Sequence, residues 1–259
     1  MTVLDDIVAK TRARLREEAL DIEDVRRSAR ERAAAKTPFA FRNALTRPGV
    51  NVIAEIKSAS PSAGTIVADP DVESIAREYA AGGAAAISIV TETEFFRGSR
   101  TWIARAAGAS GLPVVMKDFV VESSQIMSGI AAGADAILLL ASLLDARAIF
   151  HFVALLEAHG CDALVEVHDE EELARAVEGG ARIIGVNNRD LRDFRVDLGT
   201  SENLGARMPP DAIRVAESGI RTRADVDRLR AAGFHAFLVG ESLLRQNDRA
   251  AAVRELAGE

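Results

Sequence analysis

The stretch PVVMKDFVVESSQIMSGIAAGADAILLL, residues 113–140, contains the repeating unit on which the fold depends. Val114 opens a short apolar run that is typical of a buried strand. A polar segment of helical character follows from Glu122 to Ala132, and Gly133 stands after it in the position of a helix C-cap. A second apolar run begins near Ile137. Strand, helix and strand in this order predict a βαβ unit with two parallel strands.

The same alternation extends over most of the chain. The runs are apolar on both faces, as expected for strands of a parallel sheet that helices cover. They begin near Val52, Ala86, Val114, Ile137, Leu164, Ile183, Ile213 and Phe237. Eight such units predict an α/β protein with a (β/α)8 TIM barrel. The alternative is a doubly wound open sheet, but the turn after the first strand reads SASPSAG and lacks the glycine pattern of that fold.

The N-terminal segment differs from the repeats. Leu4, Ile7 and Val8 fall at helical spacing among basic residues, which indicates an amphipathic helix. A second helical pattern rich in arginine and glutamate follows, and Pro48 with Gly49 marks a turn before the first strand. We therefore expect residues 1–259 to form a single domain, in which residues 1–47 are a helical extension and residues 48–259 are the barrel.

Composition and charge exclude several classes of function. The 259 residues are 48% hydrophobic and 27% charged, an ordinary balance for a soluble globular protein. The formal net charge of −7 argues against a general nucleic-acid or anionic-membrane binder. The single cysteine, Cys161, excludes an internal disulfide and any multi-cysteine metal site. Because no signal pattern or membrane-spanning apolar run is present, we expect a cytoplasmic protein.

Polar residues interrupt five of the apolar runs at their C-terminal ends. In a barrel these ends meet at one mouth, where the active sites of this fold are built. A single charge at such a place can simply mark the exit of the chain to solvent. Recurrence on five strands predicts a polar pocket of mixed charge, because unpaired charges there would be costly. The residues are Glu55, Lys57, Lys117, Glu166, Asn187 to Arg189, Glu217 and Ser218.

Two glycines follow the last two strands. Ser218-Gly219-Ile220 and Gly240-Glu241-Ser242 each place a glycine between a strand and a helix-like segment. A glycine lets the backbone approach a ligand closely, and free N–H groups at a helix start favour an anion. Together with Lys57 from the first strand, these loops predict a phosphorylated substrate.

Eight segments, in order along the barrel, resemble the indole-3-glycerol phosphate synthase family. The amphipathic N-terminus also resembles the extension of that family, which helps to cover the barrel mouth. The segments are AEIKSASPSAG (54–64), TETEFFRGS (91–99), PVVMKDF (113–119) with Gln125 and GADAILLL (133–140), LVEVHDEEEL (164–173), IIGVNNRDL (183–191), VAESGI (215–220) and FLVGESLL (237–244).

This resemblance implies a carbon–carbon lyase of tryptophan biosynthesis. The family converts 1-(2-carboxyphenylamino)-1-deoxyribulose 5-phosphate into indole-3-glycerol phosphate with loss of carbon dioxide and water, and it uses no metal or organic cofactor. The implied partner is a small phosphorylated substrate, with no nucleic acid and no membrane, and the implied assembly is a monomer. The chemistry needs a cation at the ribulose carbonyl, where an oxyanion develops, and both an acid and a base for dehydration.

The resemblance also implies catalytic roles. Lys117 is the general acid that polarises the carbonyl during ring closure. Lys57 contacts the substrate beside its phosphate and carboxylate and is a candidate acid for dehydration. Glu166 is the other main acid or base candidate, and Glu55 either orients the lysines or serves as a base. Sequence does not assign each lysine to its step.

Further residues are implied to hold the substrate. Asn187, Glu217 and Ser218 complete the catalytic set, in which Asn187 and Glu217 hold hydroxyls and the intermediate, while Arg189 anchors charge near Lys117. The implied phosphate ligands are Ser218, Gly219, Gly240, Glu241 and Lys57. The implied wall of the aromatic slot is Phe96, Phe119, Leu138 and Leu191. Ordinary barrel packing explains each of these four equally well when it is taken singly.

Two other functions compete with this interpretation. A Schiff-base aldolase on the same barrel would use a desolvated Lys117 or Lys57. A non-catalytic phosphosugar-binding barrel would use the same pocket without turnover. The four histidines show no metal-ligand spacing, and we expect His168 to belong to a loop or helix start. Asp118 should point away from Lys117 and serve the structure.

Overall fold

Eight parallel strands close into a barrel in sequential order, and the last strand pairs with the first. The computed structural model describes residues 3–18, 21–190 and 194–258. The closed barrel confirms the predicted fold class and excludes the open sheet. The strands are β1 (Asn51–Ile56), β2 (Ala86–Val90), β3 (Val114–Lys117), β4 (Ala136–Leu140), β5 (Asp162–Val167), β6 (Ile183–Asn187), β7 (Ile213–Glu217) and β8 (Ala236–Val239). A short antiparallel hairpin, Ala59–Ser60 with Gly64–Thr65, follows β1.

Helices separate the strands and surround the barrel. The helical pattern predicted after β3 starts with a capping box between Glu122 and Gln125 and ends at Gly133, which adopts a left-handed conformation with φ 102°. The helices in the described ranges are α1 (Val3–Glu17), α2 (Ile22–Ala34), α3 (Ala40–Leu45), α4 (Val72–Ala81), α5 (Thr101–Ser110), α6 (Ser123–Ala132), α7 (Ala146–Glu157), α8 (Glu170–Glu178), α9 (Gly199–Gly205), α10 (Arg223–Ala231), α11 (Glu241–Leu244) and α12 (Arg249–Ala257). None of these helices is long and apolar enough to cross a membrane.

Alternation along each strand separates an inner from an outer core. Ile53, Leu164 and Leu238 belong to the cluster inside the barrel, whereas Val52 and Ala54 pack against the surrounding helices. Successive side chains of a strand point to opposite faces, so a residue two positions after an inward one also points inward. Glu55 is therefore directed into the barrel, as its spacing from Ile53 predicts.

The N-terminal segment contacts both ends of the barrel. At the end where the strands begin, Phe41 and Leu45 of α3 are fully buried in the inner cluster. The side-chain amide of Asn51 donates to the Leu45 carbonyl (2.9 Å), and the backbone N–H of Arg42 donates to Asp162 at the start of β5 (2.9 Å). Helix α3 thus closes the bottom of the barrel, while α1 reaches the opposite end, where Ile7 lines the cavity described below.

We expect Phe41→Ala to lower the free energy of unfolding by about 3–5 kcal/mol, because it removes a large side chain that the bottom of the barrel cannot refill. Urea denaturation measures the change. Phe150→Ala is the matched control, since Phe150 is 63% exposed on α7 and its truncation should change stability by less than about 0.5 kcal/mol. An equal loss of unfolding free energy in both variants would contradict the conclusion that α3 closes the bottom of the barrel.

Candidate active site

Lys117 ends β3 with its ammonium among three carboxylates, each from a different strand. Its Nζ lies 2.6 Å from Glu217 Oε2, 3.5 Å from Glu166 Oε2 and 3.7 Å from Glu55 Oε2. The side chains of these glutamates are at most 4% exposed, whereas that of Lys117 retains 21% of its surface at the cavity. The lysine is therefore paired and still accessible to a ligand.

The surrounding charges keep Lys117 protonated. Burial lowers the pKa of Lys117, but Glu217, Glu166 and Glu55 outweigh burial and raise that pKa well above its ordinary value. The group at the end of β3 is thus an ammonium at neutral pH. Such a group donates hydrogen bonds and stabilises a developing negative charge, and it is not a free amine nucleophile.

Glu55 links the two lysines of the site. Lys57 Nζ lies 2.6 Å from Glu55 Oε1, while Lys117 faces the other oxygen of the same carboxylate. Burial raises the pKa of Glu55, but Lys57 and Lys117 outweigh burial and hold the pKa below its ordinary value. Glu55 is therefore ionised and fixes the separation of the two ammonium groups.

Glu166 and Glu217 are neighbouring carboxylates with different protonation. Burial raises the pKa of Glu166, but Lys117 and His168 outweigh it and bring the pKa below the ordinary value. For Glu217, burial and the charge of Glu166 together outweigh Lys117 and raise the pKa to about 7. Near neutral pH Glu217 therefore gains and loses a proton, while Glu166 stays ionised. A base and an acid stand beside the same ammonium, which suits proton transfer in both directions.

Two glycines provide the room that these carboxylates occupy. A Cβ built on Gly185 of β6 would overlap Glu217 Oε1, and one built on Gly240 would lie 2.5 Å from Glu55 Oε1. Sequence reasoning missed Gly185. Its signal was a glycine inside an otherwise bulky strand, which indicates a close approach by another group.

These residues line or underlie one cavity of about 530 Å³ at the C-terminal ends of the strands, here called the mouth cavity. Glu217 is fully buried and does not line this cavity, but it contacts Lys117, which does. Leu191 lies outside the described residues. The predicted site residues that line the mouth cavity are Glu55, Lys57, Phe96, Lys117, Phe119, Leu138, Glu166, Asn187, Arg189, Ser218, Gly219, Gly240 and Glu241. Lining residues that sequence reasoning missed include Ser60, Ser62, Phe194, Arg221, Arg245 and Gln246.

One wall of the mouth cavity is aromatic. The ring centroids of Phe96 and Phe119 are 6.0 Å apart. The Glu92 carboxylate accepts the backbone N–H of Phe96 (2.9 Å) and so holds the loop that carries this ring. Asp118 accepts from the hydroxyl of Thr91 (2.6 Å) and from the N–H of Phe119 (2.8 Å), which is the structural role that its position after Lys117 suggested.

The opposite side of the mouth cavity is built from backbone. Ser218 and Gly219 both adopt left-handed conformations, with φ of 65° and 81°. The side-chain amide of Asn188 donates to the carbonyls of Glu217 (3.0 Å) and Ser218 (3.2 Å) and stabilises this turn. Arg189 donates to the carbonyl of Phe194 (3.1 Å), so its guanidinium is held at the rim of the cavity.

Comparisons with known proteins agree with one another. A model of the family "Indole-3-glycerol phosphate synthase" matches residues 4–256. The indole-3-glycerol phosphate synthase of Koribacter versatilis is 46% identical over 231 residues, covering 88% of this chain and 89% of that protein. The enzyme of the same name from Lachnoclostridium phytofermentans is 40% identical over 266 residues, covering 98% of both. Among solved structures, thiamine phosphate pyrophosphorylase from Pyrococcus furiosus is 20% identical with a TM-score of 0.59, covering 83% of this chain and 95% of that one, and this likeness shows the fold alone.

We expect Gly185→Ala to lower the turnover rate of the protein while the barrel stays folded. The new methyl group would displace the Glu217 carboxylate and thereby release Lys117 from its closest partner. Turnover and circular dichroism measure the two properties. Gly108→Ala on α5 is the matched control, because outside the backbone of its own helix no atom lies within 4 Å of a Cβ at that position. Normal turnover in Gly185→Ala would contradict the need for this space.

Proposed function

The chain belongs to the indole-3-glycerol phosphate synthase family, and from this membership and the geometry of the mouth cavity we infer how its residues share the reaction. The protein is a carboxy-lyase of tryptophan biosynthesis. It closes the indole ring on 1-(2-carboxyphenylamino)-1-deoxyribulose 5-phosphate, with loss of carbon dioxide and water, to form indole-3-glycerol phosphate. The observation that carries the assignment of roles is the Lys117 ammonium held among Glu55, Glu166 and Glu217.

Lys117 acts in the ring-closing step. The aryl carbon that bears the carboxylate attacks the ribulose carbonyl carbon, and the carbonyl oxygen gains negative charge. The Lys117 ammonium donates to this oxygen and delivers the proton that converts it to a hydroxyl. Departure of carbon dioxide returns its bonding electrons to the ring and restores aromaticity. The neighbouring glutamates hold the ammonium in place before the substrate arrives, which lowers the cost of reorganisation.

Glu166 and Lys57 act in dehydration. Glu166, whose pKa lies below its ordinary value, removes a proton from the carbon next to the ring nitrogen. Lys57 donates a proton to the departing hydroxyl, which leaves as water. Glu55 orients both lysines through its two oxygens. Asn187 donates to Glu166 Oε1 (3.1 Å) and holds the intermediate, whereas Glu217, predicted to share this role, is fully buried and acts through Lys117.

The remaining cavity residues bind the two ends of the substrate. The phosphate is bound by Lys57 and by the backbone N–H groups of Ser218, Gly219, Gly240 and Glu241. Backbone in a left-handed conformation or at a helix start directs free N–H groups at an anion. Arg189 anchors negative charge at the rim. Phe96, Phe119 and Leu138 form the slot for the aromatic ring, and Leu191 remains a predicted member of this wall. Family resemblance also supports a monomer in the cytoplasm, which size-exclusion chromatography and cell fractionation test.

The raised pKa of Lys117 argues against the aldolase alternative. A Schiff-base lysine must lose its proton before it can attack a carbonyl, and enzymes achieve this by lowering the pKa of the lysine. Glu217, Glu166 and Glu55 have the opposite effect on Lys117. The Lys117 side chain thus stays an ammonium, which can hydrogen-bond to a developing oxyanion but cannot attack a carbonyl to form an imine.

We expect Lys117→Ala to lower the turnover number by about 10²–10³-fold or more, because the developing oxyanion loses its proton donor. Fluorescence of the indole product from purified protein and substrate measures the rate. Lys10→Ala is the control, since Lys10 is a surface lysine whose side chain is 55% exposed. A near-normal rate in a folded Lys117→Ala protein would refute the role of this lysine.

Borohydride reduction in the presence of substrate should leave the protein mass unchanged, because the proposed mechanism forms no imine. Intact-mass spectrometry detects a trapped adduct. An adduct on Lys117 or Lys57 would instead favour the aldolase.

A further inference from the structure

His168 lies between two carboxylates at the end of β5. Its Nδ1 is 2.9 Å from Glu172 Oε2 on α8, and its Nε2 is 3.4 Å from Glu166 Oε1 inside the mouth cavity. The side chain of His168 is only 14% exposed, and that of Glu172 only 10%. The position at a helix start agrees with the sequence-based expectation for this residue, but the contact of its ring with Glu166 goes beyond it.

We propose that His168 is a positioning residue that carries a positive charge beside Glu166 and keeps this carboxylate ionised for its work as a base. The proposal rests on the proposed function, because it assigns Glu166 a proton-accepting role. His168 itself does not reach the substrate in this scheme and acts through Glu166.

Glu172 fixes the orientation of the imidazole ring. Its Oε2 accepts both the backbone N–H of His168 (2.8 Å) and ring Nδ1 (2.9 Å). Glu172 is itself held in the first turn of α8, where its N–H donates to Asp169 (2.9 Å). Rotation of the ring would break these contacts, so Nε2 stays close to Glu166.

The environment favours the doubly protonated ring. Each ring nitrogen faces a carboxylate, so a neutral ring would direct one lone pair at a negative oxygen. His168 Nε2 is buried and makes no hydrogen bond to the described residues, although Glu166 Oε1 lies 3.4 Å away. Three carboxylates face His168, namely Glu166 from β5, Glu172 from α8 and Glu217 from β7. Burial lowers the pKa of His168, but the hydrogen bond to Glu172 and these charges outweigh burial and raise it.

The charge of His168 matters most when substrate is bound. Glu166 faces His168 and Asn187 through Oε1 and Lys117 through Oε2 (3.5 Å), with the Glu217 carboxyl group as a further neighbour. Once the Lys117 ammonium engages the carbonyl oxygen of the substrate, its charge is shared with that oxygen. His168 then supplies the cation that stops the buried Glu166 from taking up a proton early. Loss of this cation would raise the pKa of Glu166, and the base form would survive only at higher pH.

The decisive variant is His168→Gln, which keeps an amide donor near the position of Nε2 and removes the charge. The acidic limb of the pH–turnover profile should move to higher pH by about one unit. Turnover on that limb would then fall about tenfold, while the rate on the plateau at higher pH stays close to that of the parent protein. His151→Gln is the matched control on the exposed face of α7, and its profile should coincide with that of the parent.

Glu172→Gln tests the same series of contacts, from Glu172 to His168 and from His168 to Glu166. It removes the carboxylate that raises the pKa of His168, so the limb should move in the same direction. The double variant His168→Gln/Glu172→Gln should shift the acidic limb of the pH–turnover profile no further than His168→Gln alone. In the proposal Glu172 acts on Glu166 only through the charge of His168, which is already absent in His168→Gln. Additive shifts would contradict the proposed path through His168.

A measurement without turnover separates this proposal from the proposed function. The protein has four histidines, so the imidazole proton resonance of His168 can be identified by its disappearance in His168→Gln. In the free protein this resonance should titrate above the ordinary histidine pKa of about 6.5, and Glu172→Gln should lower its midpoint. Titration below the ordinary value would overturn the proposal, as would a His168→Gln rate reduced by the same factor at every pH. Failure of the proposed function would appear differently, as a parent protein that forms no indole product.

Discussion

The ion pairs of Lys117 with three buried glutamates are the constraint on which the rest of the site depends. Each glutamate is almost without solvent, and such a carboxylate is tolerated only beside a cation or when it takes up a proton. Lys57 and Lys117 supply two positive charges for Glu55, Glu166 and Glu217. Burial and the charge of Glu166 raise the pKa of Glu217 to about 7, whereas Lys57 and Lys117 together hold the pKa of Glu55 below its ordinary value.

This cluster exists only because the barrel closes. Glu55, Glu166 and Glu217 end strands that are far apart in the chain, and Lys117 reaches all three across the interior of the mouth. Strand alternation directs each of these side chains inward, and two glycines leave the volume that two of the carboxylates fill. Polar groups at the mouth thus replace the apolar layers that fill the rest of the barrel interior.

The N-terminal helices connect the stability of the barrel with access to its mouth. Helix α3 buries Phe41 and Leu45 at the bottom of the barrel, whereas α1 contributes Leu4 and Ile7 to the lining of the mouth cavity. Lys10 of α1 pairs with Glu94, which belongs to the loop that also presents Phe96. The extension therefore packs against the aromatic wall of the cavity as well as against the opposite end of the barrel.

The sequence by itself determined the barrel and the end of it at which the polar residues gather. Repeated strand and helix patterns depend on local periodicity, and the parity of positions along β1 already directs Glu55 inward with Ile53. Only the tertiary structure decided which charges meet. Lys117 and Glu217 are separated by 100 positions, and their 2.6 Å contact depends on barrel closure and side-chain rotamers. The same holds for Gly185, whose missing side chain matters only because Glu217 fills its space. Local sequence patterns predict the face of an element on which a residue lies. Electrostatic interactions depend on the distance between charged groups, and only the closed barrel brings these groups together.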